Sequence, residues 1–282
     1  MTRAVILVPA PGFHEAWDWA FDVEADALRR GGIEIESRPW TDPGDLSGFD
    51  AVLPLVAWGY HLDPSRWHAL LDLLEREGPP MLNPVPLLRW NSDKTYLTGL
   101  GSLGVSVIPT RLIEALDQAA LDDARHAFGE TLIIKPPVSA AADGTHKIGP
   151  ADPIPADSLD KAMLIQPFLP SIADEGEISV MLFDGLFSHS IVKRPKAGDF
   201  RVQPHLGGTE AKCDPPAGAI DLASSALAAA PAEAAYARVD MVRGQDGRLA
   251  VIELELIEPA LWLQHSPDGG ASFADAIRRR IA

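Results

Sequence analysis

The first third of the chain alternates two hydrophobic periods. Residues 4–10 (AVILVPA) form an unbroken apolar run ending at Pro-Gly, which predicts a parallel strand buried on both faces. Residues 14–30 (HEAWDWAFDVEADALRR) carry apolar side chains at helical spacing and stop at Gly31-Gly32. Residues 33–40 alternate as a second strand, and 50–57 read as a third. Residues 64–77 predict an amphipathic helix with Pro64 at its start and Gly78 behind it. This β-α-β rhythm predicts a small open sheet. No G-x-G-x-x-G follows the first strand, so a dinucleotide site is not predicted.

A Pro-rich joint, GPPMLNPVPLL (78–88), marks a change of unit. A helix is expected to begin near Asn91 to Lys94, capped by Ser92 or Asp93. Residues 131–137 predict a strand with Lys135 at its C-terminal end, and 138–163 read as a mobile loop. A strand follows at 164–170. Two more, 177–185 and 186–195, pair about Asp-Gly. A helix at 218–234, a strand pair at 235–244 and 249–257, and a helix at 272–281 complete the chain.

Composition narrows the function. The 282 residues are 46% hydrophobic, enough to build a core. The net charge of −16 argues against bulk nucleic-acid binding and against anionic membrane surfaces. An anionic ligand must therefore meet a local basic site. A single cysteine, Cys213, excludes an intramolecular disulfide framework and a cysteine zinc cluster. The N-terminal apolar run is too short for a signal peptide, and no stretch has the ~20 apolar residues of a membrane span. A cytoplasmic protein is expected.

The strongest chemical signal is acidic. Asp240 lies in YARVDMV, and Glu253 and Glu255 lie in VIELELIEP, on two strands joined by a short turn. Glu253 and Glu255 are two apart and share a face, to which pairing brings Asp240. Three carboxylates on an apolar sheet repel unless a divalent cation neutralises them, and Mg²⁺ prefers such oxygens. A dispersed cationic set accompanies them: Lys94, Lys135, Lys193 and Arg201. Cations on neighbouring strands beside metal carboxylates suit a Mg-bound triphosphate. Trp17 and Trp19 read as core packing. The loop after the third strand offers Trp58, Tyr60 and His61 as substrate contacts. His189 and His205 read as structural or substrate-contacting residues.

The order and type of these motifs resemble the ATP-grasp superfamily. The chain is similar to the glutathione-synthetase and RimK-like carboxylate–amine ligases, and within these to the cyclo-ligase branch that closes the cycloserine ring from O-ureido-serine. The matching segments are WNSDKTYL, LIIKPPVSA, LIQPFLPSIADEGEISVMLFDG, HSIVKRPKAGDFRVQPHLGG and YARVDMV…VIELELIEP, which run from Trp90 to Pro259. The resemblance implies an α/β (α+β) ATP-grasp fold in three parts. These are a small parallel N-terminal domain (1–85), a central subdomain with a mobile lid (86–163) and a C-terminal antiparallel subdomain (164–282).

It also implies roles. Lys94, Lys135 and Lys193 would contact ATP, with Ser139 a further phosphate contact in the lid. Gln166, Pro167, Phe168 and Leu169 would form the adenine-binding hinge. Glu177 would hold the ribose, with Glu175 as a fallback. Arg201, with Lys135, would serve the phosphoryl transfer. Asp240, Glu253 and Glu255 would hold one or two Mg²⁺, or Mn²⁺. The substrates implied are a small-molecule carboxylate and an amine, joined through an acyl phosphate with release of ADP. Relatives suggest a homodimer or homotetramer. Two departures stand out: Glu255 replaces the Asn common in relatives, and the lid loop SAAADGTHKIG is poor in glycine. The alternatives are an ATP-grasp enzyme with a thiol, hydroxyl or imine nucleophile, and a non-catalytic ATP sensor.

Overall fold

The fold comes from a computed structural model that describes residues 2–281. Strand β1 (Arg3–Val8) lies between β2 (Glu34–Pro39) and β3 (Ala51–Leu53), both parallel to it. β3 is shorter than the expected 50–57 because Pro54 has no N–H for the ladder; Ala57 turns back onto the Pro54 carbonyl. Helix α1 (Asp18–Arg30) also starts later than expected. No side chain caps it, and residues 14–17 remain outside the helix. Helix α2 (Pro64–Glu77) matches its expected span. Asp63 accepts the Arg66 N–H at 3.1 Å, and Trp67, Leu70, Leu71 and Leu74 fill the buried stripe.

The helix expected to begin near 91–94 starts slightly later, as α4 (Tyr96–Ser102), without a side-chain cap and after a break from a short helix α3 (Val85–Asn91). Strand β4 (Arg111–Ile113) and helix α5 (Gln118–Phe128) follow, neither of them expected from the sequence. β5 (Leu132–Lys135) has Lys135 at its end as predicted. The segment expected as loop contains β6 (His146–Ile148), paired antiparallel to β5. β7 (Met163–Pro167) completes a four-stranded sheet of order β4-β7-β5-β6, with α5 packed beneath it.

A short helix α6 (Ser171–Asp174) leads into the five-stranded sheet. β8 (Glu177–Phe183) and β9 (Leu186–Arg194) form the expected hairpin about Asp184-Gly185. β10 (Thr209–Lys212) pairs with β9. Helix α7 (Ala219–Ala228) ends before Pro231, short of the expected 234. β11 (Tyr236–Arg243) and β12 (Leu249–Glu255) complete the order β10-β9-β8-β11-β12, and α8 (Ala271–Ile281) follows.

Two cores sandwich this sheet. Val180, Leu182, Ala237, Val239 and Leu254 pack with α4 and α7 on one side. Met181, Phe183 and Tyr236 pack on the other side with α1 and α8. Gly31 lets α1 approach α8: a Cβ there would sit 2.6 Å from Ala274 Cβ. The chain belongs to the mixed α/β class, with one parallel and two antiparallel sheets. Among the described residues, no helix is long and apolar enough to cross a membrane.

Glu24, on α1, is buried in this layer. One carboxyl oxygen, Oε2, has no partner, and burial pushes the group well above its ordinary 4.5 despite the Leu261 N–H. The folded state therefore binds a proton that the unfolded state releases. That contribution is whole below pH 4.5 and drains as pH rises through the folded-state value. Glu24→Gln should remove it. Thermal melts from about pH 5 to pH 9 should show the variant gaining on the wild type, with a lead of at least ~2 °C at the alkaline end.

Candidate active site

Face selection on β11 and β12 builds the site. Tyr236, Arg238 and Asp240 point to one face while Ala237 and Val239 fill the opposite core. On β12, Leu254 and Leu256 go to that core, so Glu253 and Glu255 must face the other way. Register places Asp240 opposite Glu253 and Arg238 opposite Glu255. Carboxylate oxygens of Asp240, Glu253 and Glu255 lie within 4.8 Å of one another.

Each acid has a basic partner. Lys94 Nζ lies 2.6 Å from Glu253 Oε1. Lys193 Nζ lies 2.9 Å from Asp240 Oδ2 and also bonds Glu177. Arg238 donates from Nη2 to Asp240 Oδ2 at 2.9 Å and to Glu255. Ser179 donates to Asp240 Oδ1 at 2.6 Å. Burial opposes the charge on Asp240, yet Arg238 and Lys193 hold it well below the usual carboxylate range. Glu253 is likewise held low, against burial, by Lys94 and Lys135. Glu255 goes the other way: burial, with Glu253 and Asp240 nearby, pushes it up to about 8 despite Arg238. Three hard oxygen donors gathered this closely fit a Mg²⁺ ion.

Backbone ties bring the rest in. Asn91 ends α3 by bonding β12 on both sides: Nδ2 donates to Leu254 O at 2.7 Å, and Oδ1 accepts Leu256 N–H at 2.9 Å. Lys94 sits just after, its N–H on Pro137 O at 2.8 Å, so the helix break is tied to the end of β5. Lys135 is buried without a carboxylate in ion-pair range among the described residues, and burial lowers it to about 8. Gly176 takes φ +85° where a Cβ would meet the Lys193 carbonyl at 2.6 Å, which seats Glu177 beside Lys193.

These groups surround a cavity of about 760 Å³, well within the usual range for ligand sites. Gln166, Pro167, Phe168, Leu169 and Ser139 line it beside Lys94, Lys135, Glu177 and Lys193. Arg201 reaches it from the loop after β9, its guanidinium held by Asp199 at 3.0 Å. Asp199 in turn is kept well below the usual range by that guanidinium. Trp58, Tyr60 and His61 line the same cavity.

The structure corrects two readings. Glu175, the fallback for Glu177, is exposed on the outer surface and pairs with Arg243 at 2.8 Å. Trp19 is not core: it is 43% exposed and lines the cavity mouth. His189 is structural, buried against the Leu261 carbonyl, and His205 lines the cavity.

Sequence reasoning missed Arg238, Asn91, Glu258 and the loop residues Phe13, His14 and Glu15, all in the cavity wall. Arg238 was discoverable, since it stands two residues before Asp240 and shares its face. Asn91 and the N-terminal loop carry no local signal.

The comparisons with known proteins agree with this geometry. A family model described as the N-terminal domain of D-cycloserine synthetase DcsG matches residues 9–83. The cycloserine biosynthesis protein DcsG of Streptomyces lavendulae is 32% identical over 279 residues, covering 91% of this chain and 92% of that one. The chain belongs to the ATP-grasp ligases, in the family of DcsG. The crystal structure of D-cycloserine synthetase DcsG superposes with a TM-score of 0.87 at 27% identity, covering 99% of this chain and 100% of that one. D-alanine–D-alanine ligase from Bacillus anthracis shares the fold, with a TM-score of 0.70 at 17% identity, over 100% and 97% of the two chains. As an ATP-grasp ligase, the protein is a carboxylate–amine ligase.

Glu253→Gln keeps the shape and the hydrogen bond from Lys94 but removes one charge from the triad. ADP release should fall by about 100-fold or more while the melting temperature moves by no more than ~3 °C. Calorimetric melts beside a coupled ADP assay check both halves.

Proposed function

We propose that the protein activates the carboxylate of an amino-acid-derived substrate with ATP and closes an amide within the same molecule, releasing ADP and phosphate. O-ureido-serine is the substrate the reading points to first. One observation carries it: three carboxylates, five buried or half-buried cations and a cavity wall from the parallel sheet meet in one space. A pure nucleotide sensor has no need of Arg201 and Arg238 beside a metal triad. The overall likeness to DcsG over nearly the whole chain supports the cyclising reading.

In this reading the three units are those of the fold family, and the nucleotide lies between the two antiparallel sheets. Gln166 to Leu169 hold the adenine edge, and Glu177 the ribose. Lys94, Lys135 and Lys193 offset the phosphate charge, with Ser139 at the lid end. Asp240, Glu253 and Glu255 hold one or two Mg²⁺, or Mn²⁺, which when bound neutralise charge on the phosphate oxygens. The substrate carboxylate attacks the γ-phosphorus, and ADP leaves. Arg201 and Arg238 are placed to offset charge on the transferred phosphoryl group. A substrate N–H nitrogen then attacks the acyl carbon; the C–O bond to phosphate breaks, phosphate departs with that electron pair, and the nitrogen's proton is released to solvent or the departing phosphate. Burial lowers Lys135 to about 8, so its ammonium is still mostly charged at neutral pH and incoming phosphate oxygens would favour that charge.

The reading predicts that O-ureido-serine alone stimulates ADP release with Mg-ATP. A response that appears only with a second, amine-bearing compound would make the enzyme an intermolecular ligase. ATP binding without any substrate-stimulated ADP would favour the sensor.

The loop 139–149 is expected to close over the phosphates. Limited proteolysis within residues 115–163 should slow at least ~5-fold when Mg-ATP is present, as local opening is suppressed. An unchanged cleavage rate would count against a moving lid.

A further inference from the structure

Every carboxylate of the metal cluster has a cation at bonding range except one. Asp240 has Arg238 and Lys193, Glu253 has Lys94, Glu255 has Arg238, and Glu177 has Lys193. Glu258 lines the same cavity, three residues beyond Glu255. Among the described residues, no side chain bonds or pairs with its carboxylate. Burial pushes it up to about 7, with Lys94 only partly opposing. Its place is fixed: Trp58 donates Nε1–H to the Glu258 carbonyl at 3.4 Å, and Trp58, Tyr60 and Trp262 line the cavity around it. His61, its side chain only 9% exposed, lines the same cavity; its Nε2 lies 3.8 Å from Asp143 and its Nδ1 has no partner. A carboxyl held only by its own backbone N–H, with no cation at bonding range, in a cavity wall of aromatic side chains describes a subsite for a small cationic group. Glu15, a further acid of the cavity wall, already lies 3.7 Å from His14.

We propose that Glu258 is the specificity-determining residue that binds the substrate's α-ammonium group, so that the enzyme accepts free amino acids and rejects their desamino counterparts. The carboxylate supplies the charge that the ammonium group meets. The nucleotide side of the cavity stays with the lysines. This inference rests on the proposed ligase reading and names the group by which that ligase selects its carboxylate.

The test compares O-ureido-serine with its desamino analogue, 3-(ureidooxy)propanoate, in coupled ADP release. Wild type should favour the amine-bearing compound by about 100-fold in kcat/KM, the scale of losing one buried charge pair. Glu258→Gln should erase that preference through KM for O-ureido-serine, leaving KM for ATP within about 2-fold. Glu15→Gln should preserve it. Equal use of both compounds by wild type would overturn the proposal without any variant. A Glu258→Gln enzyme that keeps the preference, or loses affinity for ATP instead, would also overturn it. If neither compound releases ADP, the ligase substrate is wrong and the subsite is tested by binding. Tryptophan fluorescence with Mg-ADP present would then follow serine, alanine and their desamino acids. Quenching by the amines alone, lost in Glu258→Gln, supports the subsite; equal quenching by both sets refutes it.

Discussion

Three carboxylates held within 4.8 Å on two paired strands set the terms for the rest of the molecule. At an effective dielectric of 20, each like-charge pair at that distance costs about 3.5 kcal/mol. Left alone, three such pairs would consume most of the ~5–15 kcal/mol that holds a domain together. The fold answers with cations from three directions. Arg238 comes from the same strand, Lys193 from β9 across the sheet, and Lys94 from the break between α3 and α4. These contacts span 159 residues of sequence in the case of Lys94 and Glu253. The acids therefore act as an organising centre for chain segments that share little else. Glu255, pushed up to about 8 chiefly by burial, is the carboxylate whose charge a bound cation would favour most.

Much of this was legible because strands declare their faces locally. Period-two spacing put Glu253 and Glu255 together, and the short Gln-Asp-Gly turn brought Asp240 opposite them. Lys135 was readable as a strand end before two prolines. What escaped was long-range or sterically specific. Asn91 is defined by bonds to β12, some 160 residues away, and nothing around it in the sequence announces them. Residues 14–16 have helical spacing, but no cap starts the helix there, and they line the cavity instead. Glu175 and Glu177 share a motif, and only the turn at Gly176 decides which faces inward.

Division of labour follows from where each wall originates. The lysines and the acid triad sit on or beside antiparallel strands whose positions are fixed by ladder hydrogen bonds and two flanking cores. The opposite wall comes from loops after β1 and β3, which leave the parallel sheet at its C-terminal edge. Loops of that kind change sequence at little cost to the sheet beneath them. A constant phosphate chemistry can therefore be joined to a changeable substrate wall.

The seam between α1 and α8 sets an order of assembly. Ala25, Ala27 and Leu28 of the first helix bury against Phe273, Ala274 and Ile277 of the last. A ribosome emits residues in sequence, so the first helix waits through some 240 further residues before its apolar stripe is covered. During synthesis that stripe stays open to water and to chaperones. The N-terminal layer, first to be made, is thus among the last to be sealed.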